Sequence, residues 1–118
     1  MKTQNNLSDR LEDFAVGIIR IISKLDTTFT SRHIAGQLIR SSTSAGANYE
    51  EACGAENRSD FFHKLQIVLK ELRESLYWLR LILKSGLVPS EKISLIIQEA
   101  NELTNIIAKS IVTAKKNK

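Results

Sequence analysis

Residues 65–83 read LQIVLKELRESLYWLRLIL, and their spacing decides the fold. Leu65, Leu69, Leu72, Leu76, Leu79 and Leu83 step by 4, 3, 4, 3 and 4. A strand would place apolar residues at every second position, whereas steps of three and four put them on one face of a helix. Sustained this long, the pattern is the heptad seam of left-handed bundle packing. Upstream, Ser59 can cap this helix, and Asp60 places a negative charge at the positive end of its dipole. Downstream, Gly86 stops it.

Three more helices read outward from this one. The first is expected from Ser8, as N-cap, to Leu25, with Leu11, Phe14, Ile18, Ile21 and Leu25 on its seam. Residues 1–7 are then a short disordered N-terminus. The second starts after Thr30 and runs to about Cys53, with Ile34, Leu38, Ser41, Ala45, Asn48 and Ala52 facing inward. Beyond Leu38 that seam is small and partly polar, which lets a neighbouring backbone come close. Helix propensity is poor across Ser41–Gly46, so a loop competes there, and helix wins only through tertiary packing.

Pro89 and Ser90 open the fourth helix, whose seam is Ile93, Ile96, Ala100, Leu103, Ile107 and Ile111. Leu95, Ile97, Ile106 and Val112 widen its apolar stripe. The width suits either a broad core face or a subunit interface. Short connections set successive helices antiparallel. The expected fold is all-α, an antiparallel up-down-up-down four-helix bundle, as one domain over residues 1–118 with a basic tail, Lys115-Lys116-Asn117-Lys118.

Composition agrees. Five glycines and one proline in 118 residues leave few turns, so the elements must be long. The net charge of +4 is unevenly spread. Residues 1–54 hold six basic and six acidic side chains, residues 55–86 six and four, and residues 87–118 five and three. The surplus in the second half admits a nucleic acid or an acidic protein as partner, though it is modest for a strong nucleic-acid binder. Cys53 is the one cysteine, so no intrachain disulfide can form, and residues 1–13 carry no leader-like apolar run. A cytoplasmic protein is expected. Arg20, Arg80 and Gln98 cut the apolar runs well short of the roughly 20 residues that span a bilayer, so no membrane partner is expected.

Motifs for catalysis are missing from the sequence. A di-metal bundle needs inward carboxylates and two Glu-x-x-His pairs; this chain has none, and Asp60-x-x-His63 at a helix start is better read as a dipole partner. His33, His63 and Cys53 do not make a zinc pattern. No glycine-rich phosphate loop and no nucleophile-base spacing is present. The expectation is no enzyme activity, no cofactor and no metal, with Cys53 a small packing residue.

The segments Ser44-Ala45-Gly46-Ala47-Asn48-Tyr49-Glu50-Glu51-Ala52, Asp60-Phe61-Phe62-His63-Lys64-Leu65 and Lys70-Glu71-Leu72-Arg73-Glu74-Ser75-Leu76-Tyr77-Trp78-Leu79-Arg80-Leu81 occur in that order. In order and spacing they resemble the four-helix bundles of the 23S ribosomal RNA intervening-sequence proteins. The accessory variability proteins of diversity-generating retroelements share that fold group. The likeness spans about Phe14 to Ala108. It implies a homo-oligomer, a pentameric ring with a positive surface. It also implies RNA or DNA as a partner, or a reverse transcriptase or other protein, as in the retroelement relatives. Asn48, Glu50 and Glu51 match a recurrent signature of the family. Asn48 falls on the inferred seam, where a lone amide must find partners and can fix helix register. Glu50 and Glu51 are open to pairing with basic residues of the third helix or of another subunit.

One flank of the leucine seam carries the main functional candidates. His63, Gln66, Lys70, Arg73, Tyr77, Arg80 and Lys84 step by three and four along it. Lys70, Arg73, Tyr77, Arg80 and Lys84 together make a platform for phosphates and bases. Glu71 and Glu74 weaken its field, and Lys70 with Glu74 has the spacing of a helix pair. The competing account has these basic stems covering the core edge and bridging to Glu50 or Glu51.

Overall fold

The structure is a computed structural model that describes the backbone of residues 2–116 and the side chains of residues 6–116. It contains four helices: α1 (Lys2–Ile22), α2 (Phe29–Cys53), α3 (Arg58–Ser85) and α4 (Ser90–Lys116). Each packs on its chain neighbour, and α4 closes back on α1, so α1/α3 and α2/α4 are the diagonals of a four-helix bundle. Contacts run in opposite directions on α1/α4, where Arg10 meets Glu99 and Gly17 meets Ile96, and on α2/α3, where Arg40 meets Glu74 and Glu51 meets Lys64, and short connections join α1 to α2 and α3 to α4. The bundle is therefore antiparallel, with extents of 47 × 25 × 21 Å. The closest pair is α2 and α3, and the thinnest contact is α1 with α4.

The helix starts differ from those the sequence implies. Ser8 is not a cap, and α1 takes in residues 2–7. Nothing there breaks a helix, and Leu7 packs on the core one turn before Leu11, continuing the seam. Thr28 caps α2: its hydroxyl accepts from the Ser31 N–H at 3.2 Å, and Asp26 in turn accepts from the Thr28 N–H and hydroxyl. Asn57, rather than Ser59, caps α3 by accepting from the Asp60 N–H at 2.8 Å. Gly86 ends α3 in the left-handed conformation, at φ 72°, which favours a residue without a Cβ. Asn117 and Lys118 of the basic tail lie outside the described residues, while Lys115 and Lys116 belong to α4.

The core follows most of the expected seams, but Asn48, Ile96 and Ile111 are only half-buried, Leu25 lies past the end of α1 at Ile22, and α3 departs further. Val68 and Ile82 are fully buried, whereas Leu69 and Leu83 are half-buried at its edge. The reason is the close α2 contact. Val68, Ser75 and Ile82 repeat every seven residues on the α2 side, and the Ser75 hydroxyl meets that of Ser41 at 2.8 Å inside the bundle. Ser41–Gly46 is helical as expected, and Ser41, Ser42 and Ala45 are buried without exposure. Gly17 serves the α1/α4 contact: a Cβ there would lie 2.7 Å from Ile96 Cδ1. On α4, Ile97 joins the core, Ile106 is half-buried, and Leu95 and Val112 stay exposed. Among the described residues no helix is long and apolar enough to cross a membrane.

Candidate nucleic-acid interface

The outer flank of α3 presents Lys70, Arg73, Tyr77, Arg80 and Lys84, all exposed. Their helical spacing makes them neighbours along one flank, and the buried residues of α3 lie behind them. Among the described residues none of the four cations lies within ion-pair distance of a carboxylate. They do not bridge to Glu50 or Glu51.

Glu71 and Glu74 turn away from this row, toward α2. Arg40 Nη1 reaches Glu71 Oε1 at 3.2 Å, and Arg40 Nη2 binds Glu74 Oε2. Glu74 also accepts from the Trp78 indole N–H at 3.0 Å. The Arg40 hydrogen bond, then that of Trp78, holds the Glu74 carboxyl below the ordinary glutamate value. Glu74 raises the Arg40 guanidinium in return. Glu71 is 8 % exposed, so its charge stays inside the α2/α3 contact. The expected Lys70–Glu74 pair does not form within ion-pair distance, because Arg40 has taken the acid.

A row of rings runs off this flank onto α2. Tyr77 lies 5.0 Å from Trp78 with planes at 72°, and Trp78 lies 5.8 Å from His33 at 81°. His33 stacks on Phe29 at 6.4 Å and 19°. Phe29 is 78 % exposed and Tyr77 48 %. Sequence reasoning missed Phe29, His33 and Trp78 as site residues. The i,i+4 spacing of Phe29 and His33 was a signal for one half of the row. Their meeting with Trp78 is tertiary and has no local signal.

The family-signature residues sit elsewhere. Asn48 is half-buried, and its amide donates to the Ser44 carbonyl at 2.9 Å and hydroxyl at 3.1 Å, within its own helix rather than across the seam. Glu51 is exposed and pairs with Lys64 of α3 at 2.6 Å, which raises the lysine ammonium. Glu50 is exposed beside a small groove between α1 and α2 of about 200 Å³, which Leu11 and Thr43 also line. Cys53 is exposed rather than packed, because it follows the last buried position, Ala52; it lines an open groove of about 830 Å³ with Phe61, Ile106 and Lys109. Among the described residues no three His, Cys, Asp or Glu side chains form a group that could hold a metal ion.

Exposed cations and ring faces bind without covalent chemistry. Such a surface can neutralise phosphates and stack planar groups.

The family described as the 23S rRNA-intervening sequence protein matches residues 4–109 of this chain. A crystal structure of a protein of unknown function from the S23 ribosomal protein family of Bacteroides thetaiotaomicron is also similar. It is 32% identical, superposes with a TM-score of 0.80, and the match covers 89% of this chain and 97% of that one. No curated protein matches this chain.

Proposed function

The chain belongs to the 23S rRNA-intervening sequence protein family, and from that premise we propose that it is a non-enzymatic nucleic-acid-binding accessory module that works as a homo-oligomeric ring. One observation carries the reading: Lys70, Arg73, Arg80 and Lys84 share an exposed flank where, among the described residues, none has a carboxylate within ion-pair distance, while Arg40 holds Glu71 and Glu74 toward α2. Unpaired cations at fixed spacing attract a polyanion and release its counterions on binding. The ring rests on the family likeness, which implies a pentamer. Exposed apolar side chains support it: Val16 and Ile19 on α1, and Leu95 and Val112 on α4, have surface left for a neighbouring copy.

Titration with RNA and DNA over a salt series tests the binding. Affinity that weakens steeply with salt supports it, and no salt-sensitive affinity contradicts it. Light scattering tests the ring, with an expected mass five times the 13.3 kDa of the chain. A monomer at micromolar concentration would contradict it. The exposed Leu95, at 76 %, favours a second reading, a protein-interaction scaffold for a reverse transcriptase or another protein. That reading predicts partner binding that is lost with Leu95→Glu and is insensitive to changes at Arg73 and Arg80.

A further inference from the structure

We infer that the surface joining α2 and α3 is a base-stacking site for single-stranded nucleic acid, with Phe29, His33, Trp78 and Tyr77 as its platform. The inference rests on the nucleic-acid reading above and names the form of nucleic acid that this site takes.

The rings form one connected row across two helices, with neighbouring centroids 5.0 to 6.4 Å apart. Both of its ends are open, Phe29 at 78 % and Tyr77 at 48 % exposure, and His33 between them is exposed as well. Large aromatic faces left in water are unfavourable, and something planar or apolar is their natural cover. The row is held in place from behind. The Trp78 N–H is tied to Glu74, and Glu74 to Arg40, so the indole is fixed before any ligand arrives.

The charge beside the row selects the occupant. Tyr77 has Arg73 one turn before it, Arg80 one turn after it and Lys84 two turns after it, all exposed on the same flank. A hydrophobic peptide gains nothing from that positive edge. A chain carrying both negative charge and flat rings meets both features at once. In a duplex the base faces are hidden in the stack. Only unpaired bases can lie on Tyr77 while their phosphates reach the cations beside it, and Phe29 offers a further face at the other end of the same row.

Three probes of equal length decide the question: a single-stranded oligouridine, the same ribose-phosphate chain without bases, and a duplex. Trp78 is the one tryptophan, so its emission reports on the platform directly. The oligouridine should bind most tightly and quench Trp78, and the abasic chain should bind through charge alone without quenching. Phe29→Ala and Tyr77→Ala should each weaken oligouridine binding by about 5- to 150-fold and leave abasic binding and the salt slope unchanged. Phe29 is so exposed that its replacement should not disturb folding. Equal affinity for all three probes, or unchanged oligouridine binding by both variants, overturns the stacking site and leaves the charged surface standing. No salt-sensitive binding of any probe overturns both.

Discussion

Arg40 of α2 captures the Glu74 carboxylate of α3, and so keeps it out of ion-pair distance of Lys70, the partner that helical spacing offers it. The two residues lie 34 positions apart in the chain. The same guanidinium also reaches Glu71, which is nearly buried. One side chain thereby ties α2 to α3, pairs with two acids and holds them toward α2, off the outer flank of α3.

Arg40→Met keeps the stem and removes the charge. It should destabilise the bundle by about 1–2 kcal/mol, between the worth of an exposed pair and a buried one, because Glu71 is left without its partner. Urea unfolding measures this. Glu74 is then free to approach Lys70, so nucleic-acid affinity should also fall. The lowered Glu74 value adds a pH signature. Its contribution is present above the ordinary glutamate value of 4.5 and is lost as pH falls through the lower folded-state value. Wild type should therefore lose more stability on acidification than Arg40→Met.

The close α2/α3 approach depends on small side chains. Ala45 has no exposure and sits in the core with Leu38 and Leu72. Ala45→Leu should overpack this contact and destabilise by about 1–3 kcal/mol, measured by denaturant melts. Unchanged stability would mean that the small seam is not close-packed.

Tyr49 gives an alkaline prediction. Burial first, and then the Cys53 thiol beside it, push its phenol up to about 12. A raised value means that the folded state favours the neutral phenol. The contribution is complete below the ordinary tyrosine value of 10.0 and is lost as pH rises through about 12. Ultraviolet titration in a Tyr77→Phe background should show late ionisation of Tyr49, and Tyr49→Phe should lessen the loss of stability over that range. Ionisation of Tyr49 near pH 10 would contradict its burial.

The helices were legible because each carries its own apolar period, and Gly86 and Pro89 mark real boundaries. The α3 seam was read one position off at Leu69 and Leu83. A leucine repeat cannot reveal that a serine column on α2 will draw Val68, Ser75 and Ile82 inward. Ser8 looked like a cap because its type suits one, but capping needs a chain that turns there, and Leu7 keeps it helical. The cation row was visible as spacing on a single helix. Its freedom from acids was not, since that depends on Arg40 arriving from another helix. The ring row was missed for the same reason: Phe29 and Trp78 become neighbours only through His33 across the α2/α3 contact. Asn48 was placed near the core correctly, yet its amide finds Ser44 in its own helix, so the register role read from the seam has no cross-helix bond behind it.

The salt dependence of binding tests the central claim most directly. Lys70 to Lys84 spans about 21 Å at about 1.5 Å per residue, enough to follow several phosphates. Each single-strand phosphate contacted should lower log affinity by roughly 0.7 per log unit of salt. Replacing Arg73 and Arg80 together with Gln should flatten that slope by about 1 to 2, while circular dichroism melts stay at the wild-type temperature. An unchanged slope with a lowered melting temperature would contradict the account, because it would make these arginines supports of the bundle and not its contact with nucleic acid.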